Sequence, residues 1–343
     1  MKNKKKLNII VATLLVLVLV YLGLSWPTNY YIEAPGDANS VSQFVSSNGK
    51  KASKNLFMVT VSERQASLGD YLWSYTNPFE IRISQKDLLG NQNTSQYMQL
   101  QEWYMETSQN NAIYYAAKVA GKTPKKKFFG VYVMGLTTNS KFRNKLNIGD
   151  TIIAVDGQHF KSTKALMDYI QKQKIGQKVS ITVQRDDKSI NYSGKTVPLA
   201  TDKAKAAIGI QLVERSKVIT NPKIKINAGS IGGPSAGLMF SLASYQLFTG
   251  HDLTHGVKVA GTGTIDNEGN VGMIGGVDKK VVAADKAGAK VFFAPSQQLP
   301  GYKKNETNYA VAVKTAKKIH SKMKIIPVAT FNDALTYLKK IQK

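Results

Sequence analysis

The sequence predicts a mixed α/β chain of the α+β kind, built as an N-terminal transmembrane helix, a small barrel-like β module and a C-terminal unit of alternating strands and helices. Three observations predict it. Leu7 to Ser25 is uncharged and strongly apolar; Phe128 to about Leu199 reads as short strands around one helix; from about Ala207 onward strands and helices alternate. The parts divide at 1–26 for the cytoplasmic lysines and anchor, 27–126 for a stalk and an associated segment, 127–200 for the β module and 201–343 for the C-terminal unit.

The apolar stretch follows Lys2, Lys4, Lys5 and Lys6. A helix needs about 20 such residues to cross a bilayer core. The lysines should stay in the cytoplasm, which sets the remainder outside as a single-pass protein of the cell membrane. A cleaved signal peptide is the competing reading, with Gly23-Leu24-Ser25 as a poor cleavage site. The long apolar run and Trp26, Tyr30 and Tyr31 as interfacial anchors favour a retained helix.

In 343 residues, 43% hydrophobic, there is material for more than one core. No cysteine is present, which excludes disulfides, thiolate metal sites and a cysteine nucleophile. The formal charge of +25 raises nucleic acid as a partner. The lysines are scattered, however, with no interleaved aromatic platform, so attraction to anionic lipid or wall polymer, or equally a plain solubilising surface, is the better match and nucleic acid is not expected.

Gly36 to Asn55, rich in Ser, Asn, Gly and Lys, reads as a loop or stalk, and Leu56 to Val61 as a strand. Met98 to Ala120 is the clearest part of a polar helical stretch with an uneven pattern, closed by a Gly/Pro/Lys break over Gly121 to Lys127. In the β module, Phe129 to Val133 is a strand and Leu146 to Gly157 a loop, strand and turn. Lys164 to Gln173 has helical spacing, Val179 to Val183 alternates as a strand, and Arg185-Asp186-Asp187-Lys188 is a turn.

The C-terminal unit opens with the strand Ile224 to Ile226. An apolar helix from Pro234 to Phe248 has proline in its first turn and Gly250 beyond its end. Gly261-Thr262-Gly263-Thr264 follows Val259, a second helix runs from about Val277 to Ala287, and Lys290 to Ala294 is a strand. Ile325 to Ala329 and a helix from Asn332 to Ile341 finish the chain.

The chemistry sits in Gly232-Gly233-Pro234-Ser235-Ala236-Gly237 and in Gly275-Gly276-Val277-Asp278-Lys279-Lys280. A glycine-flanked helix start leaves bare amide N–H groups at the positive end of the dipole, which suits an oxyanion beside a serine nucleophile. Such a start also suits phosphate, and a serine there can simply be a cap. A serine hydroxyl needs a base. Neighbours of Lys280 at helical spacing are Val277, Ala284 and Ala287, whereas Lys279 shares a face with Lys286. Spacing therefore directs Lys280 into apolar surroundings, where its pKa would fall. A lysine whose stem covers apolar surface while its head stays wet fits the same spacing.

Two resemblances add to this. The pattern L-x-x-G-D-x-I-x-x-V-D-G from Leu146 to Gly157 resembles PDZ domains, which implies a peptide added as a strand at a groove near Phe128, Phe129, Gly130, Val131 and Tyr132. Gly233 to Gly237, Thr262-Gly263, Ile274 to Lys280, Ala283-Ala284 and Ala287-Gly288 together resemble the proteolytic domain of the Lon family, from roughly Ile208 to the C-terminus. That resemblance implies Ser235 as nucleophile, Lys280 as general base and Thr262 as the group that orients the lysine. It also implies oxyanion donors among the backbone amides of Gly233, Ser235 and Ala236. Many ATP-dependent members carry an acid three positions before the serine, where this chain has Gly232.

Anchor, PDZ and Lon-type domain in this order are similar to the PDZ–Lon-like membrane proteases of Gram-positive bacteria, some of which trim secreted peptide signals. In that group the PDZ interrupts protease sequence, so Leu56 to Ala120 is expected to pack on the catalytic domain. No G-x-x-x-x-G-K-[ST] occurs, so peptide cleavage without ATP is expected, as is the lack of any cofactor or metal. The candidate partners are a peptide or unfolded protein, the membrane and a second copy of the chain.

Two other classes compete. Gly233 to Gly237 also fits the G-x-S-x-G elbow of esterases and lipases, which would need Asp266, Asp278 or Asp285 with His320. His320 is expected on a lysine-rich helix with Lys314, Lys317, Lys318 and Lys322. A non-catalytic PDZ adaptor at the membrane is the other. His251 and His255 are the one histidine pair four residues apart, without the glutamate of H-E-x-x-H.

Overall fold

The computed structural model of the chain describes residues 2–90, 92–186, 188–298 and 300–341, which leaves Asp187 of the predicted turn and the last two residues of the C-terminal unit outside the described residues. Helix Lys2–Leu24 is exposed from Lys4 onward, and that portion, Lys4–Leu24, is long and apolar enough to cross a membrane. Its 23 residues span about 35 Å at ~1.5 Å per residue.

Two sheets carry the rest. The larger has six strands in the order Lys324–Val328, Val291–Pro295, Val259–Gly261, Leu56–Ser67, Pro27–Ser40 and Ile81–Ser84. The first four are parallel neighbours, and the last two contacts are antiparallel. Strands from the beginning of the chain thus pair with strands from its end. Leu56 to Met58 lies beside Val259 to Gly261, so the body built by the C-terminal unit is completed by the chain up to Ser67. Helices Val277–Lys286 and Asn308–Lys318 cover one face, where Val59, Ala260, Val281, Phe292 and Ala312 form a core. Helices Thr94–Val119, Gly237–Thr249 and Phe331–Lys340 cover the other.

The stretch Gly36 to Asn55 is not a stalk. Pro27–Ser40 continues as strand, Val45–Ser47 pairs with Ile224–Ile226, and Val41 and Val45 have no exposed surface. The polar residues that suggested a loop alternate with the few apolar ones that enter the core, and two short strands need only those few. Other boundaries moved by a few residues. The predicted strand from Leu56 runs on to Ser67, and the helix predicted from Met98 begins at Thr94 behind an Asn93–Gln96 capping box.

That long helix explains its own uneven pattern. Ala112, Ala116 and Ala117 press it against Gly237–Thr249, while Trp103 stacks on Tyr132 of the second sheet at 4.6 Å. A helix wedged between two bodies has two apolar faces and no single stripe.

The second sheet is the β module, ordered Lys188–Lys195, Lys178–Arg185, Thr151–Val155, Lys125–Leu136 and Ile210–Ile219, with helix Thr163–Gln171 packed on its core through Leu166 and Ile170. The predicted groove needs correcting. Strand Lys125–Leu136 has a partner on both sides at Val131 and Tyr132, namely Ile152 and Thr151 on one edge and Glu214 and Val213 on the other. No peptide strand can add there. The edge on that side belongs to Ile210–Ile219, which the 201–343 division assigned to the C-terminal unit; Ile210 and Ile208 just before the strand pack into the β-module core.

Candidate active site

Ser235 lies in the turn that precedes helix Gly237–Thr249. The predicted helix start at Pro234 is therefore three residues early, and the serine is held by its surroundings instead of by helical bonds. The Gly233 N–H donates to the Gln101 carbonyl at 2.8 Å, and Ser108 Oγ donates to the Pro234 carbonyl at 2.9 Å. The Ser235 carbonyl accepts from the Gly263 N–H at 2.8 Å and from Thr262 Oγ1 at 3.1 Å. Glycine is required on both sides of this anchor. A Cβ on Gly232 would come within 2.6 Å of the Gln101 Cβ, and Gly233 has φ +84°.

Lys280 stands on helix Val277–Lys286 and reaches back over the sheet. Its Nζ is 2.8 Å from Ser235 Oγ and 3.3 Å from Thr262 Oγ1. Thr262 follows strand Val259–Gly261, at the carboxyl end of the parallel strands, where open α/β sheets place their ligands. Lys280 is only 3% exposed. Burial pulls its pKa down from 10.5 to about 8, against the opposing pull of the Glu33 and Glu63 carboxylates. An amine so placed is largely free base above about pH 8 and can take a proton from a hydroxyl 2.8 Å away.

Glu33 and Glu63 give the sequence no signal of their own. They face each other across the antiparallel pair of Pro27–Ser40 and Leu56–Ser67, so both side chains lie on one face of the sheet. Glu33 holds Lys279 at 3.1 Å. Lys279, which shares a helix face with Lys286, is only 2% exposed, between Glu33 and Asp278. Glu63 accepts from the Tyr97 hydroxyl at 3.0 Å, and burial holds its own carboxyl above the usual range. The serine, both carboxylates, Tyr97, Gln101 and Lys280 line one cavity of about 710 Å³, a size that admits a peptide segment.

Of the three amides expected to serve an oxyanion, Gly233 is committed to Gln101. Among the described residues no acceptor lies on the N–H of Ser235 or Ala236. The two therefore remain as donors beside the hydroxyl. Gln101 and Ser108, which fix this turn from the long helix, are far from it in sequence and no motif points to them.

The competing constellation does not assemble. Asp266 closes the turn to Asn270, Asp278 pairs with Lys279, and Asp285 accepts from Ser321. His320 is not helical but follows the end of Asn308–Lys318 with φ +55°. None of these four lines the cavity of Ser235. His251 and His255 lie in the loop after Gly250, and among the described residues no group of His, Asp and Glu could hold a metal.

Thr262→Val tests the hydroxyl that ties lysine and turn together. Loss of two hydrogen bonds at a fully buried site should lower kcat by about tenfold, corresponding to ~1–1.5 kcal/mol, with KM little changed.

Known proteins match in two places. The PDZ domain family matches residues 101–196, and the Lon protease C-terminal proteolytic domain family matches residues 199–340. The Lon protease of Campylobacter jejuni is 33% identical over 134 residues, covering 35% of this chain and 15% of that protein. The Lon protease of Citrifermentans bemidjiense is 38% identical over 98 residues, covering 26% of this chain and 12% of that protein. The chain thus spans only a small part of the length of these curated relatives. The crystal structure of the PDZ domain of an SdrC-like protein from Listeria monocytogenes is 33% identical, covers 25% of this chain and 90% of that one, and has a TM-score of 0.24. Its C-terminal part is thus similar to the Lon protease C-terminal proteolytic domain, and the segment before it is similar to PDZ domains.

Proposed function

We propose that the protein is a membrane-anchored serine endopeptidase that cleaves extracytoplasmic peptides or unfolded proteins, secreted peptide signals among them, without ATP. Ser235 is its nucleophile and Lys280 its base. The observation that carries this is the 2.8 Å approach of Lys280 Nζ to Ser235 Oγ at a lysine with almost no exposed surface. Ser235 Oγ attacks the scissile carbonyl carbon and passes its proton to the neutral Lys280 amine. The carbonyl oxygen becomes an oxyanion held by the N–H groups of Ser235 and Ala236, each such donor being worth ~3 kcal/mol. As the intermediate collapses, the C–N bond breaks and the lysine returns the proton to the leaving amine. Water then attacks the acyl-enzyme ester as Lys280 takes one of its protons; the bond from the acyl carbon to Ser235 Oγ breaks, the lysine returns that proton to Oγ, and a carboxylic acid leaves.

Thr262 keeps the lysine on the serine through the whole cycle. Lys2, Lys4, Lys5 and Lys6 set the start of the chain in the cytoplasm, with the catalytic body outside. A substrate strand docks on the β module along the open edge at Ile210 to Val213. From Glu214 onward that edge is closed by the long helix, where Thr107 and Asn110 bond the carbonyls of Glu214 and Ser216.

The test is mass spectrometry of a peptide pool and an unfolded protein incubated with detergent-solubilised full chain, beside Ser235→Ala. Internal cuts by wild type alone are expected. Cuts by both proteins would remove Ser235 from the chemistry, and cuts by neither would favour the adaptor reading.

A further inference from the structure

The chain does not lead away from the membrane helix once that helix ends. Short helix Leu68–Trp73 folds back onto the junction, its start fixed by a Ser67–Asp70 capping box. The Leu68 N–H donates to the Trp26 carbonyl at 2.9 Å, and a Cβ on Gly69 would stand 3.2 Å from the Leu24 carbonyl oxygen. No residue of this short helix is buried. The large side chains of this helix and its flanks are exposed next to the end of the apolar helix: Leu72 is 53% exposed, Trp73 71%, Tyr75 just beyond it 63% and Trp26 at the junction 72%.

Beside them, aromatic rings form a cluster. Tyr30, Tyr71 and Tyr75 follow one another with ring centroids 4.9 and 5.8 Å apart, and the Arg82 guanidinium lies 3.8 Å over the Tyr75 ring. Asp70 is neutralised by Arg64 at 2.6 Å. Isolated exposed apolar residues are ordinary, but a contiguous cluster marks a partner. Tryptophan and tyrosine suit one environment in particular, the headgroup level of a bilayer, where the ring sits in an apolar layer and its polar edge stays wet.

We propose that this patch is a membrane foot. Leu72, Trp73 and Tyr75, with Trp26, enter the headgroup region of the leaflet from which the apolar helix emerges. They hold the catalytic body at a fixed attitude to the lipid instead of leaving it to swing on one linker. Lipid is the occupant because the helix ends at Leu24, just before Trp26, and Leu68–Trp73 is bonded to that junction; any bilayer that takes the helix reaches the patch. A foot of this kind keeps the cleft at a set height, so that chains emerging close to the membrane are cut in preference to free ones. The inference rests on the reading of Lys4–Leu24 as a span.

The absence of cysteine makes the test direct, since each introduced cysteine is unique. The full chain is placed in nanodiscs of phosphatidylcholine and phosphatidylglycerol that carry nitroxides both near the headgroup and deep in the acyl chains. A fluorescent label is put at Leu14→Cys in the apolar helix, at Leu72→Cys or Trp73→Cys, or at Met167→Cys on the exposed side of the PDZ helix. Labels at 14, 72 and 73 should lose most of their emission to the nitroxides and the label at 167 should keep it. If 14 is quenched while 72 and 73 behave like 167, the span stands and the foot is overturned. If 14 also keeps its emission, the span itself is wrong and the foot falls with it. Disulfide cross-links between copies of the Leu72→Cys or Trp73→Cys variant, without quenching, would assign the patch to a second chain and overturn the lipid assignment.

Discussion

Lys280→Met should abolish peptide cleavage and at the same time raise the melting temperature. The activity loss follows from removal of the only base within reach of Ser235 among the described residues; for nucleophile–base pairs acting as a unit it amounts to about 10⁴-fold or more in kcat. The gain in stability follows from burial. A lysine whose pKa falls from 10.5 to about 8 carries a penalty of ~3 kcal/mol in the folded state at neutral pH, at 1.36 kcal/mol per pKa unit. Methionine fills the same channel without a charge, and the lost hydrogen bond to Ser235 offsets roughly 1 kcal/mol of that. About 2 kcal/mol should remain.

The pH dependence of this difference has a definite sign. Between about pH 8 and 10.5 the unfolded chain holds a proton on Lys280 that the folded chain has lost, so wild-type stability rises with pH through that window. The advantage of Lys280→Met should therefore be full below about pH 8 and shrink as pH approaches 10.5. Thermal melts of both proteins at about pH 7 and about pH 10 check it. Equal melting temperatures at the lower pH would mean that the lysine is hydrated in solution.

Cleavage should rise with pH along a limb centred near pH 8, because the protonated amine cannot accept the serine proton. Glu63→Gln should move that limb to lower pH. The Glu63 carboxylate favours the charged lysine, so its removal lowers the lysine pKa and frees the amine at lower pH. Glutamine keeps an oxygen for the Tyr97 hydroxyl, which limits the structural disturbance. The quantity to measure is kcat/KM for a fluorogenic peptide from about pH 5.5 to about pH 10. A limb that stays in place would show that Glu63 does not act on Lys280, and a wild-type profile flat down to about pH 6 would remove the lysine as base.

Ser235 and Lys280 were readable in the sequence because each is announced locally. A glycine-rich turn before an apolar helix, and a helix whose spacing sets Val277, Ala284 and Ala287 around one lysine, are short-range patterns. The match to the Lon-type proteolytic domain begins at residue 199 and leaves out Pro27–Ser40 and Leu56–Ser67, although those strands complete the sheet and carry both carboxylates. Glu33 and Glu63 meet only through the register of two strands, which shifts at irregularities between Pro27 and Tyr31 and between Pro35 and Ala38. A one-residue change of register would send either carboxylate to the opposite face.

What the sequence determined by itself is what short-range physics encodes: the apolar helix, the β module, the alternating α/β unit and the local settings of Ser235 and Lys280. What only the tertiary structure decided is which distant groups share a space. It buried Lys279 against Glu33, drew Gly36 to Asn55 into the core, turned the Gly233 amide to Gln101, and moved the open sheet edge from the strand of Val131 to that of Ile210. Each depends on strand pairing or helix packing between segments far apart in the chain. Periodicity tells which face of an element is apolar; it does not tell which other element that face will meet.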